Sequence, residues 1–260
     1  DDRDPTVLVV GGGQAGLSVA ARLNMVGVDT LVIDRHERIG DCWRKRYASL
    51  ALHNHTDVNH LPYMPFPPNW PKYLPKDMLA DWFEAYAMAM EINYWPATEL
   101  VGGTYDAAAG TWSATVRRAD GTERVLHPRH LIMANGIVGE PYRPRLPGLD
   151  DFKGDVLHTA EFTNGANWRG KKALVLGTGN SGHDVAQDLH ANGVDTTIVQ
   201  RGSTTVISIN PSARLIHAVY DGLPLDDADL MVSANPLPVA RANLQRIVQR
   251  QVELDKKMIE

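Results

Sequence analysis

The sequence predicts an α/β fold in which one strand–glycine turn–helix–strand unit is made twice. Three observations predict it. Residues 11–35, GGGQAGLSVAARLNMVGVDTLVIDR, and residues 177–201, GTGNSGHDVAQDLHANGVDTTIVQR, align without a gap at an offset of 166, with 11 of 25 positions identical. Each copy follows a short apolar run, residues 6–10 or 173–176, of the kind that forms a buried parallel strand. Between the copies, residues 98–133 alternate in polarity and are broken by turn residues, which reads as a β-meander.

In the first copy the helix carries its apolar residues on one face, Leu17, Ala20, Ala21 and Leu23, and should stop at Gly27. A second strand follows at residues 30–33. The second copy repeats this with Val185, Ala186 and Leu189, a stop at Gly193, and a strand at residues 196–199. The spacing G-x-G-x-x-G gives each glycine a task. Gly11 and Gly177 permit the tight turn out of the strand. Gly13 and Gly179 let the backbone approach a pyrophosphate, and Gly16 and Gly182 let helix and strand pack closely. Gln14 and Ala15, or Asn180 and Ser181, complete the turn, whose N–H groups face the phosphates at the helix start. Two dinucleotide sites are therefore expected.

The copies differ where the second strand ends. The first has Asp34, whose carboxylate accepts from ribose hydroxyls and repels a 2′-phosphate, followed by Arg35. The second has neutral Gln200, then Arg201, Ser203, Thr204 and Thr205, a cation with hydroxyl donors that suits a 2′-phosphate. The first copy is expected to bind FAD or NAD, and the second to prefer NADP(H).

The remaining segments follow in order. Residues 36–97 read as irregular and proline-rich, giving way to a helix at residues 76–90. Its stripe of Leu79, Trp82, Phe83, Tyr86 and Met90 reads as core. Meander strands are expected at residues 99–105, Thr111–Arg118 and 123–127. A short strand then ends in the glycine turn at Gly136. Pro141, Pro144 and Pro147 mark a linker, and residues 241–257 read as a polar amphipathic helix. The domains are thus expected at residues 1–150 and 151–260.

Composition narrows the function classes. The chain has 260 residues, 43% hydrophobic and 22% charged, with a net charge of -5. This is ordinary globular usage, enough for a core, and shows no basic excess for nucleic acid. Cys42 is the only cysteine, which excludes an intrachain disulfide, a dithiol redox centre and a Cys-rich zinc site. No apolar run approaches the roughly 20 residues of a membrane span. His53, His55 and His60 lack an acidic or cysteine partner at ligand spacing, so no metal is expected. Residues 165–172 nearly match a phosphate-binding P-loop. However, Lys172 stands where Ser or Thr must bind magnesium, and a strand follows rather than precedes the stretch.

Further motifs carry a family resemblance. Phe152, Gly154, His158 and Phe162 fit FxGxxxHxxx(F/Y), and the chain resembles the flavin-containing monooxygenases, which carry this fingerprint between two nucleotide motifs. Gly40-Asp-Cys-Trp43 with Arg46-Tyr47 is similar to their G-x-x-W segment. Residues 49–67 are similar to the YUCCA-type (group B) branch and its bacterial and fungal relatives. The resemblance implies FAD in the first unit and NADPH in the second. NADPH would reduce the flavin, whose C4a-hydroperoxide would place one oxygen of O2 on a small organic substrate.

It also implies that His53 and Asn54 are catalytic candidates near the flavin ring, with Trp43 beside the isoalloxazine and Leu100 on the FAD adenine. His158 would lie between the domains. Asn135-Gly136 stands where the family has Thr-Gly, and Phe162 stands where Baeyer–Villiger enzymes have Trp. The family's NADP domain is inserted into its FAD domain. Ending at Glu260, this chain is expected to lack part of both, and to be truncated. The resemblance is compatible with a cytoplasmic protein and with a homodimer. Two alternatives remain open: a flavin-dependent NAD(P)H oxidase, reductase or single-cysteine peroxidase using Cys42, and a non-catalytic nucleotide-binding protein.

Overall fold

Residues 3–137, 139–204 and 206–256 are described by the structure, a computed structural model. The apolar strands β1 (Val7–Val10) and β2 (Thr30–Ile33) pair in parallel, joined by α1 (Gln14–Met25). α1 ends through Gly27, whose φ of 74° is the left-handed conformation expected of a helix stop. Its buried face, Gly16, Leu17, Ala20 and Ala21, is the stripe the periodicity predicts.

Residues 36–97 contain more order than their prolines suggest. A short α2 (Asp41–Arg44) and a 3-10 turn at Thr56–Val58 precede the expected helix, α3 (Lys76–Ala89). The two-residue strand β3 (Tyr94–Trp95) then adds to the outer edge of β2. A strand so short leaves no alternation to read, which is why the irregular assignment fails there. The α3 stripe is core as expected: Leu79, Phe83 and Tyr86 are fully buried with Leu17, Leu61 and Leu74.

The meander β4 (Thr98–Asp106), β5 (Thr111–Arg118) and β6 (Glu123–Leu126) is antiparallel throughout, with a bulge between Leu100 and Gly102. β7 (His130–Met133) returns to pair in parallel with β1, giving the sheet order β3-β2-β1-β7. One face of that sheet carries α1. The other carries the meander, through Leu8, Leu31 and Ile33 against Ala114, Val116 and Leu126.

The second copy forms β8 (Lys172–Leu176), α4 (Asn180–Ala191) and β9 (Asp195–Val199), a parallel pair crossed by one helix. Val175 packs with Val185, Ala186 and Leu189 on the α4 side. Among the described residues no meander covers the other face, where Leu174 and Leu176 are exposed.

The C-terminal segment is more helical than expected. A 3-10 stretch at Ala213–Tyr220 and α5 (Leu225–Ser233) precede α6 (Leu237–Leu254). α6 starts four residues earlier than the periodicity suggests, because Pro238 sits in its first turn, where a missing N–H costs nothing. It ends at Leu254 rather than at residue 257, which lies outside the described residues.

Candidate functional site

The site is built on the two glycine turns. Gly11 has φ of 109°, and a Cβ there would lie 2.4 Å from the Ala134 carbonyl oxygen at the end of β7. A Cβ at Gly16 would lie 1.8 Å from the Gly11 carbonyl oxygen, so only glycine lets α1 approach the strand this closely. Gly13 is different: its nearest neighbour would be Cys42 Sγ at 3.9 Å, so the backbone is open on that side. As the N-cap of α1, Gly13 has no capping side chain, and no acidic residue lies in the first turn. The first-turn N–H groups are therefore left for an anion. Ala15 is exposed, and Gln14 Nε2 donates to the Asn59 carbonyl (3.2 Å), tying the turn to the proline-rich loop.

Asp34 sits at the mouth of this turn. Its Oδ2 accepts from Gly12 N (2.6 Å) and its Oδ1 from His36 N (2.8 Å), with His36 Nδ1 at 2.7 Å. Arg35 points elsewhere and donates to the Gly139 carbonyl (3.0 Å). Gly12 is a site residue that the motif spacing did not single out. A Cβ there would lie 2.1 Å from the Tyr94 hydroxyl, so the β3 tyrosine packs directly on the phosphate turn. The signal was present as the middle glycine of GGG but carries no spacing of its own.

The second turn repeats the backbone. Gly177 has φ of 114°, and a Cβ at Gly182 would lie 2.5 Å from the Gly177 carbonyl oxygen. Gly179 has open space and, like Gly13, caps its helix without a side-chain bond. Asn180 is exposed and Ser181 half-buried. At the end of β9, Gln200 Nε2 donates to the Gly202 carbonyl (2.7 Å), while Arg201, Ser203 and Thr204 are exposed. Thr205 lies outside the described residues.

The residues between the turns divide. Gly40 (φ 87°) is held against α3, where a Cβ would meet the Ala80 carbonyl oxygen at 2.3 Å. Trp43 packs half-buried on the α3 core. His53 Nε2 lies 3.0 Å from Asp184 Oδ1 in α4, and the Tyr47 hydroxyl donates to Asp184 Oδ2 (2.7 Å). Asn54 is half-buried in the same loop. Asn135 and Gly136 (φ 78°) are exposed just beyond β7. Leu100 packs on the core between the meander and β1–β2. His158 Nδ1 accepts from Ala160 N (3.1 Å), and His158 N donates to Glu161, so this histidine braces its own turn.

The three loop histidines diverge: His53 meets Asp184, His55 meets Tyr73, and His60 meets Asp229. Among the described residues, no group of three or more metal-ligating side chains converges. Burial, with the nearby Asp34 carboxylate, pushes the Cys42 thiol up to about 11, which holds it protonated near neutral pH.

A cavity of about 310 Å³ opens between the proline-rich loop and the C-terminal segment. Its wall includes His55, Asp57, Phe66, Trp70, Lys72 and Leu225. Asp57 is taken up by both terminal nitrogens of Arg214 (3.1 and 2.8 Å). Lys72 donates to Asn210 Oδ1 (3.2 Å) and has no carboxylate partner among the described residues. Burial first, and then the Arg214 and Lys72 cations, hold His55 below the usual histidine range.

Residues 4–226 match the family model described as flavin-binding monooxygenase-like. Indole-3-pyruvate monooxygenase YUCCA1 of Oryza sativa subsp. japonica is 38% identical over 204 residues, which is 78% of this chain and 49% of that protein. The chain thus spans about half the length of the curated relatives it matches. A flavin-containing monooxygenase from Stenotrophomonas maltophilia superposes with a TM-score of 0.72 at 23% identity, covering 88% of this chain and 68% of that one. OTEMO in complex with FAD and NADP gives 0.64 at 23% identity, over 77% of this chain and 39% of that one. These two structures share the fold of this chain.

Proposed function

The chain belongs to the flavin-binding monooxygenase-like family, and from that premise we propose that it carries the two nucleotide sites of an FAD- and NADPH-dependent monooxygenase. One observation carries the reading. Two phosphate turns share one backbone, φ 109° at Gly11 and 114° at Gly177, and differ in the residue that ends the second strand, Asp34 against Gln200.

The residues fit both groups. In the first unit the open backbone at Gly13 and the uncapped start of α1 would hold the FAD pyrophosphate, and Asp34 would take the ribose hydroxyls. In the second, Gly179 to Gly182 would hold the NADPH pyrophosphate, and Arg201 would face the 2′-phosphate. Flavin, when bound, supplies the redox chemistry between NADPH and O2. The chain's own side chains bind, orient and shield the groups. Trp43 and the loop of His53 and Asn54 would line the ring side, and Tyr94 backs the phosphate turn. This reading uses no thiol step, and burial holds Cys42 protonated near neutral pH.

The relatives' names include indole-3-pyruvate monooxygenase, so the proposal extends to an aromatic 2-oxo acid as substrate. Phe66, Trp70 and Lys72 of the cavity, the last bonded to the neutral Asn210 amide, offer an aromatic wall and a cation to such a molecule. A cytoplasmic location and domains dividing near residue 150 belong to the same reading. No helix among the described residues is long and apolar enough to cross a membrane.

The test is a visible absorbance scan of the purified chain with FAD added, followed by NADPH under air. Flavin bands that bleach faster with NADPH than with NADH are expected. A chain that takes up no flavin, or that binds both nicotinamides equally, overturns the proposal.

A further inference from the structure

The two nucleotide turns must be held at a fixed separation, because hydride transfer needs its two atoms within roughly 3–3.5 Å. The apolar contact between the units, Tyr47 and Leu50 against Phe162, Val175, Val185 and Leu189, excludes water but gives little direction. Directional contacts there come from a short set of hydrogen bonds. Ala48 N donates to the Thr163 carbonyl (2.8 Å), and a single carboxylate, Asp184, receives both Tyr47 and His53.

The placement of Asp184 is informative. It stands five residues into α4, just behind the Gly179–Gly182 turn, and its side chain is only 19% exposed. Its two donors come from one loop, which follows the segment of Gly40 and Trp43 and contains Asn54. Ser181 lies in the turn itself, three residues before Asp184 on the same helix. Burial and the bond to Asp184 raise the Tyr47 phenol far above its ordinary range, so it stays a donor at any working pH. With Nε2 engaged by Asp184, His53 keeps Nδ1 for a second partner.

We propose that Asp184 is a positioning residue that clamps the second phosphate turn to the flavin-side loop through Tyr47 and His53. The clamp sets where the nicotinamide arrives, and it rests on the reading of the two turns as FAD and NADPH sites. It also gives His53 a role through Asp184 in addition to any contact with the flavin.

The experiment compares the full chain with Asp184→Ala, Tyr47→Phe, His53→Gln and the double variant Tyr47→Phe/Asp184→Ala. NADP⁺ affinity is read by calorimetry on the flavin-free chain, and the anaerobic rate of flavin reduction by NADPH on the loaded one. Asp184→Ala should weaken NADP⁺ at least threefold and slow reduction at least tenfold, with FAD content unchanged. The double variant should be no worse than Asp184→Ala, because the two groups act as one unit. Unchanged NADP⁺ affinity together with unchanged reduction overturns the clamp. So does full additivity of the two substitutions. If Asp184→Ala does not fold, Tyr47→Phe keeps the ring packing and decides by the same readouts. A wild-type chain that takes up no FAD overturns the proposed function instead, and the NADP⁺ titration still decides the clamp.

Discussion

Leu8 and Leu174 occupy the same place in the two copies, yet Leu8 is fully buried and Leu174 is 61% exposed. The strands and helices around them are equivalent, so the difference lies in what covers the sheet. Leu8 faces the meander through Val116 and Leu126, whereas among the described residues no layer covers Leu174. Leu8→Ala should therefore cost about 2–5 kcal/mol, the usual range for a buried leucine. Leu174→Ala should stay within about 0.5 kcal/mol. Urea unfolding of both variants checks this. Equal losses would mean that the Leu174 face is covered in solution.

The contact between Gly12 and Tyr94 gives a second prediction. Gly12→Ala puts a methyl 2.1 Å from the Tyr94 hydroxyl and 2.4–2.5 Å from its ring carbons, so the ring must move. Overpacking of this kind costs about 1–3 kcal/mol. The cost should shrink when Tyr94→Leu is already present, because the two changes share one clash. Thermal melts of the four combinations test it, and strict additivity would show that the ring is not the obstacle. FAD affinity should fall with Gly12→Ala alone, since the same N–H holds Asp34.

How far the sequence could be read depended on where each signal lay. The repeat exposed both βαβ units, since glycine spacing and apolar runs are local and the two copies reinforce one another. The α3 stripe was legible for the same reason. β3 was not, because two residues carry no period, and its importance comes from Tyr94 lying over Gly12. The C-terminal helices were read poorly because Ala213–Tyr220 and Leu225–Ser233 are short pieces broken by Gly222 and Pro224. Within the site, His53 was singled out but its partner was not. Asp184 lies 131 residues away, and no sequence pattern ties a loop histidine to a helix carboxylate at that distance.

The end of β9 predicts nicotinamide preference. Gln200 is held by the Gly202 carbonyl, which leaves exposed Arg201 as the nearby cation for a 2′-phosphate. Arg201→Ala should weaken NADPH by about tenfold or more, the range for a lost charged hydrogen bond, and barely affect NADH. Gln200→Asp should move the preference the same way by placing a carboxylate against the phosphate. Fluorescence titrations with both nucleotides measure it, and parallel losses for the two would show that the 2′-phosphate lies elsewhere.

Cys42 provides the pH test, and with it a decision on thiol chemistry. The thiol is raised to about 11, first by burial and second by the Asp34 carboxylate, both of which disfavour the thiolate. An acid whose pKa is raised stays protonated to higher pH, so reactivity must climb late. At pH 8 an ordinary thiol is about a quarter ionised, whereas Cys42 should be ionised only to about one part in a thousand. Alkylation of the native chain by iodoacetamide should therefore rise with pH towards about 11, while the unfolded chain reacts near the ordinary value. Asp34→Asn should quicken alkylation only partly, because burial remains the larger cause. A peroxidase using this thiol would need the opposite, fast reaction at neutral pH. Cys42→Ser should then leave NADPH oxidation by the loaded chain unchanged, and a loss of turnover in that variant would restore the single-cysteine reading.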